Sequence, residues 1–190
     1  ASAKLLLHIA IDGYQLSSKE ISRTHNVQRR TRAVEALLKN GFPVNTADKN
    51  GVTALMLAVQ RHNLPAMELL KQYGADLHSV DHQQQNALFY VSQSLFKRSP
   101  ERHRQEVVIL NWLLQQGLDT QVISKTGHNL LHTTCNPELL NPLLERGIKI
   151  NQPDRFGNTP VHYSALRCKL DYYHQLRQAD GDINLSLIHI

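Results

Sequence analysis

The chain is 190 residues long, with 41% hydrophobic and 19% charged residues, an apolar content ample for a folded protein. No apolar stretch approaches the roughly 18 residues that a membrane span requires, and the short Lys4-Leu-Leu-Leu-His run is no signal-peptide core. The two cysteines, Cys135 and Cys168, read as small buried residues of a chain kept in a reducing, cytoplasmic compartment, and the net charge of +5 is concentrated in two segments described below.

Leu5 to Ala10, Leu-Leu-Leu-His-Ile-Ala, opens as a helix that begins mid-unit. From Leu7 to Gly41 there are 34 residues, against 19 between the corresponding Leu55 and Gly74, so 15 residues enter between the two helices of this first unit. Inside the insert, Ser17 to Glu20 has capping-box spacing, and Asn26 can cap a helix running through Arg32 to Lys39. Asp48 to Ala58 then spells a turn followed by a helix. Asp48 can bond its own backbone two residues on, Gly51 accepts a positive φ, and Asn63 with Pro65 opens a second helix that ends near Gly74. This is the regular unit.

Asp81 to Ser92 repeats the turn with Gln84 in the glycine slot. Ser99-Pro100-Glu101 supplies the cap of a lengthened helix to Gln115, on which Val108, Leu110, Trp112, Leu113 and Leu114 are expected to form core. Ser124 to Thr134 begins a unit three residues short, with Pro142 inside its second helix, where a kink or split is expected. In Asp154 to Ala165, Thr159 suits an N-cap and Pro160 the first helical position. Residues 185–190 either begin another unit or cover the exposed end. A chain that starts without Met and stops there is expected to be a piece of a longer protein.

The closing glycine falls at Gly41, Gly74, Gly117 and Gly147, with Asp180 substituting in the fifth copy, at spacings of 33, 43, 30 and 33. A turn plus two short helices at this period, with Thr159-Pro-Val-His-Tyr-Ser-Ala165 as its best copy, resembles the ankyrin repeat. The resemblance covers Leu5 to Asn184. It implies an all-α, ankyrin-type α-solenoid of helix-turn-helix units joined by hairpin-like turns: one domain over 1–190, with units near 1–47, 48–80, 81–123, 124–153 and 154–184. The irregular, Gln-rich units are also similar to ankyrin effectors that intracellular bacteria deliver into the host cytosol.

The 11 histidines do not converge. His8, His132 and His162 occupy one slot in three units, where the resemblance implies a structural histidine tying helix to turn. His128 and His132 stand at i, i+4 without the intervening acid of a zinc protease, and no phosphate loop or nucleophile elbow is present. No catalytic residue, metal or cofactor is expected. The alternative to a non-catalytic binding module is the targeting arm of a larger enzyme.

Residues 16–33 carry a net charge of +4 and residues 97–106 a net +2, so the basicity lies in the two insertions. Their cations, Arg23, Arg29, Arg30, Arg32, Lys97, Arg98, Arg102 and Arg104, form either solvated helix extensions or a basic edge for an acidic protein, an anionic lipid or a nucleic acid. The absence of interleaved aromatics disfavours nucleic acid. By resemblance, a protein partner is expected on the turn tips, at Lys49, Asn50, His82, Gln83, Lys125, Thr126, Arg155 and Phe156, and on the first helices at Leu57, Tyr90, Thr133 and Tyr163. Tyr90, Phe156 and Tyr163 are expected to point away from the core of a monomeric chain.

Overall fold

A computed structural model describes residues 6–12, 23–93, 99–168 and 170–179, with side chains in these ranges except at 12 and 23–26. The Ser17 to Glu20 capping box, Lys97, Arg98, the Asp180 glycine slot and the 185–190 tail lie outside the described residues. The helices are α1 (Leu6–Asp12), α2 (Arg23–Lys39), α3 (Ala54–Gln60), α4 (Leu64–Gln72), α5 (Pro100–Gln115), α6 (Leu130–Thr133), α7 (Leu140–Leu144), α8 (Pro160–Arg167) and α9 (Leu170–Gln178), with 3-10 turns at Ala87–Tyr90 and Pro137–Leu139. No strand is present among the described residues; Ala47 and Thr53 make an isolated bridge.

Two parallel rows result. The first helices touch in the order α1, α3, the Ala87–Tyr90 turn, α6 and α8. Behind them α2 packs on α4, and α5 and α9 on the Pro137–Leu139 turn. The architecture is the all-α ankyrin solenoid. Its core runs as a continuous seam between the rows, with Ile11, Val34, Met56, Met67, Phe89, Leu113, Leu131, Leu143, Tyr172 and Leu176 all buried.

The turns explain why these sequences nucleate the units. Asp48 Oδ1 accepts the N–H groups of Asn50 and Val52 at 2.8 and 2.9 Å. Asp81 does the same for Gln83 and Gln85, and Asp154 for Phe156 and Asn158. Ser124 keeps only the second of these bonds, accepting from His128 N–H through Oγ. Successive turns are laced together by backbone: His82 N–H donates to Asn50 O, Lys125 N–H to Gln83 O, and Arg155 N–H to Thr126 O, at 2.8 to 3.0 Å. Gln84 holds φ at +59° in the slot that glycine fills elsewhere.

Gly51 and Gly74 share a φ of +81°, but their surroundings differ. A Cβ at Gly51 would stand 2.8 Å from the His82 amide nitrogen of the next turn, whereas one at Gly74 meets nothing within 4 Å. Gly74→Ala should cost only the left-handed backbone penalty, about 1–2 kcal/mol. Gly51→Ala adds a backbone clash in the inter-unit lacing, and urea unfolding is expected to show it the more damaging by at least about 1 kcal/mol.

The caps at Asn63 and Ser99 form as their sequences suggest: Asn63 Oδ1 accepts Ala66 N–H and Ser99 Oγ accepts Arg102 N–H. Three expectations need correction. Asn26 is not a cap, because α2 already begins at Arg23. Val108 is 52% exposed, since the buried stripe of α5 is Glu106, Ile109, Leu110 and Leu113, with Trp112 and Leu114 only partly buried beside it. The three-residue deletion shortens the first helix of the fourth unit, so α6 has 4 residues where α3 has 7. Its second helix is split into the 3-10 turn and α7, as Pro142 leads one to expect.

The third correction concerns the cysteines, which are paired rather than separate. Cys135 follows the truncated α6, Cys168 caps α8, and stacking brings their Cα atoms to 5.2 Å in a disulfide that joins two units.

Candidate protein-binding face

The turn tips and the first-helix row form one face. Lys49, Asn50, His82, Gln83, Lys125 and Arg155 are exposed, and Phe156 is 76% exposed. Leu57, Thr126 and Thr133 are half-buried on the same row. The tips are outward because each turn acid faces inward to its own amides, which fixes the next two side chains toward solvent.

Tyr90 does not belong to this surface. It is 5% exposed, and its hydroxyl donates to Asp81 Oδ2 at 2.7 Å. Burial, with the Asp81 carboxylate beside it, raises its pKa, so the phenol stays neutral. Tyr163 makes the equivalent bond to Asp154 Oδ2 at 2.8 Å and is half-buried. Both tyrosines stand nine residues after their turn acid, so each latches the first helix onto its own turn. The shared spacing was a signal in the sequence: Asp81 with Tyr90 and Asp154 with Tyr163.

Around Tyr163 the fourth and fifth units make a polar cluster. His128 Nε2 lies 3.0 Å from Tyr163 Oη and 3.5 Å from Asp154 Oδ2, and its ring stacks on His132 with centroids 4.9 Å apart. The Arg167 guanidinium sits 5.0 Å from the Tyr163 ring centre. His132 Nδ1 accepts the Asn129 N–H, so its Nε2–H donates to Asn158 O at 3.3 Å. His8 Nε2–H likewise donates to Val52 O at 2.7 Å, and His162 Nδ1 accepts the Thr159 N–H. These contacts are structural: each ring closes a helix start or ties it to the following turn. Among the described residues no cluster of three or more His, Cys, Asp or Glu could hold a metal.

The basic edge is only partly a surface. Arg29, Arg32 and Arg104 are exposed, Arg30 is half-buried, and the Arg23 side chain lies outside the described residues. Arg102 turns inward. Its guanidinium donates to Gln60 O at 3.5 Å and lies 3.9 Å from Glu106, which is 4% exposed and also accepts from Asn136 Nδ2. This group bridges the second, third and fourth units, a role that net-charge counting hides.

A family model of ankyrin repeats, in three copies, matches residues 24–99. Human inversin is 30% identical over 155 residues, which take in 75% of this chain and 14% of inversin. Ankyrin repeat and SOCS box protein 6 of Pongo abelii is 31% identical over 139 residues, 68% of this chain and 31% of that protein. An L-asparaginase of Dirofilaria immitis is 27% identical over 150 residues, 78% of this chain and 24% of that protein. The chain thus spans a minor part of each relative's length.

Proposed function

The chain belongs to the ankyrin-repeat family, a family of protein-interaction modules that is typically non-catalytic, and from that premise we propose that it acts as a monomeric, non-catalytic module whose turn-tip face takes the partner. The observation that carries this is the row Lys49, Asn50, His82, Gln83, Lys125, Arg155 and Phe156, held outward by the turn acids and, at Lys125, by Ser124, and ending in an exposed aromatic. Aromatic and arginine side chains are the usual anchors of protein interfaces. Leu57 and Tyr163 flank the row as half-buried support. Arg29, Arg32 and Arg104 act on association rate and salt dependence, as charges at an interface rim do.

Pull-down from a eukaryotic lysate, with inner-face and basic-edge variants side by side, tests this. Phe156→Ala should leave thermal unfolding unchanged, because the ring gains little on folding, while weakening capture by about 1–3 kcal/mol, roughly tenfold or more. Tyr90→Ala is the contrasting variant: it empties a buried site and strands Asp81 Oδ2, and should cost about 3 kcal/mol of stability. Capture unchanged by Phe156→Ala and by Lys125→Ala, but lost on reversing Arg29, Arg32 and Arg104, would move the site to the edge.

A second reading has one observation in its favour. The match to part of an L-asparaginase is consistent with an ankyrin arm that targets an enzyme. Sequencing the full open reading frame decides it: a catalytic domain on the same chain supports the arm, and its absence leaves the module on its own.

A further inference from the structure

The charges of the turn-tip face are one-sided, and the cause is visible in the turns. The acids of these turns are held by the turns themselves, Asp81 and Asp154 buried and Asp48 half-buried. Asp48, Asp81 and Asp154 each give Oδ1 to two backbone N–H groups, and Asp81 and Asp154 give Oδ2 to a tyrosine hydroxyl. The side chains left pointing outward are Lys49, Lys125 and Arg155, all exposed, and no carboxylate lies within ion-pair distance of any of them among the described residues. The exposed acids among the described residues, Glu68, Asp76, Glu101, Asp119, Glu138, Glu145 and Asp171, stand on the second helices and on the loops that close the units, away from the tips. Phe156 adjoins the last cation of the row.

We propose that the turn-tip face takes an extended acidic peptide segment of the partner, running across the tips with its carboxylates on Lys49, Lys125 and Arg155 and an apolar side chain on Phe156. This rests on the turn-tip face being the binding surface, and names what it binds. The spacing constrains the segment. Packed helices stand about 8–10 Å apart, and an extended chain advances about 3.3 Å per residue, so about three partner residues cross each unit. Lys125 and Arg155 belong to adjacent units, while the His82 and Gln83 turn separates Lys49 from Lys125. Acids about three apart at one end and about six apart at the other match the row. A narrow line of cations beside a single aromatic suits such a strand better than a membrane plane, which a broad basic surface would meet, or a nucleic acid, which would need aromatics for several bases.

The test is selection of a displayed library of random dodecapeptides on the intact chain, in parallel with a Lys49→Glu, Lys125→Glu, Arg155→Glu variant shown by thermal unfolding to be folded. Acidic peptides with an apolar residue are expected on the wild type. The reversed variant should bind them about tenfold or more weakly, and raising salt should weaken the wild-type complex. Neutral or basic peptides that still depend on Phe156 would overturn the acidic assignment and leave the turn-tip face standing. Acidic peptides indifferent to both the charge reversal and Phe156→Ala would overturn the two together. Selection of no peptide, with binding to phosphatidylserine-containing vesicles that the reversal abolishes, would replace the peptide with an anionic membrane.

Discussion

Reducing the Cys135–Cys168 disulfide should loosen the last two units by about 3–4 kcal/mol, the chain-entropy cost for a loop of 33 residues. The effect is expected to be local. In a solenoid each unit contacts only its neighbours, so stability lost between the fourth and fifth units is not passed to the second. The fourth unit is where the array most needs a clasp. Its first helix has 4 residues and buries three of them where α3 buries five, and its second is broken into a 3-10 turn and a 5-residue helix, which interrupts the regular backbone hydrogen bonding that α4 keeps. Amide exchange measured with and without dithiothreitol checks this. Residues 136–147 and 160–167 should exchange faster on reduction, while residues 64–72 stay as they were. In the reduced protein, residues 136–147 should also open with less free energy than residues 64–73. A Cys135→Ser, Cys168→Ser variant should reproduce the reduced pattern in the absence of reductant. Unchanged exchange in the last two units would show that the disulfide contributes nothing to docking them.

Acid should act on the same junction through His132. Its ring is 2% exposed, and burial pushes its pKa down to about 4 from the ordinary value of 6.5, helped by the neighbouring His128 and opposed by the hydrogen bond to Asn158 O. The folded state therefore holds the neutral ring while the unfolded chain takes up a proton first. Stability from this group is complete above pH 6.5, falls as the pH drops toward 4, and is constant below that, a loss of about 3 kcal/mol. His128 and His62 are shifted in the same direction by burial and add to the fall. Asp154, held below its ordinary value of 3.8 by the Tyr163 hydroxyl and its own turn amides despite burial, gives way only at lower pH. Urea unfolding at pH 7 and at pH 4 measures the difference. His132→Met is the control, because Met56 already fills the equivalent slot, with its sulfur 3.5 Å from the Thr53 amide nitrogen. The variant should lose most of the dependence; an unaltered slope would place the acid sensitivity elsewhere.

What could be read from the residues was what the chain decides locally. The turn from Asp48 to Gly51, the Asn63 and Ser99 caps and the split near Pro142 each depend on neighbours within about five positions, and each formed. What escaped depends on the neighbouring unit. The outward placement of Tyr90 assumed that its slot faces solvent in every copy, but a tyrosine nine residues after an acid has a better place for its hydroxyl, on that acid. Cys135 and Cys168 meet because they stand 33 residues apart, one repeat period, each just ahead of its unit's second helix, so stacking sets them side by side; nothing within a few positions of either one signals the pairing. Arg102 and Glu106 were counted as surface charge in an insertion, although α5 carries them into the packing of the second helix row. On the turn-tip face Lys49, Lys125, Arg155 and Phe156 are exposed, because the turn residue ahead of them, Asp48, Ser124 or Asp154, faces inward to its own turn's amides and leaves the side chains that follow it in solvent.

The most direct test of the turn-tip face is a map of amide chemical shifts in the labelled chain as a captured partner, or the tightest selected peptide, is added. Shifts are expected at residues 49–50, 82–83, 125–126 and 155–156, spreading to Leu57 and Tyr163. Perturbations confined to α2 and α5, around Arg29, Arg32 and Arg104, with the four turns unmoved, would contradict it.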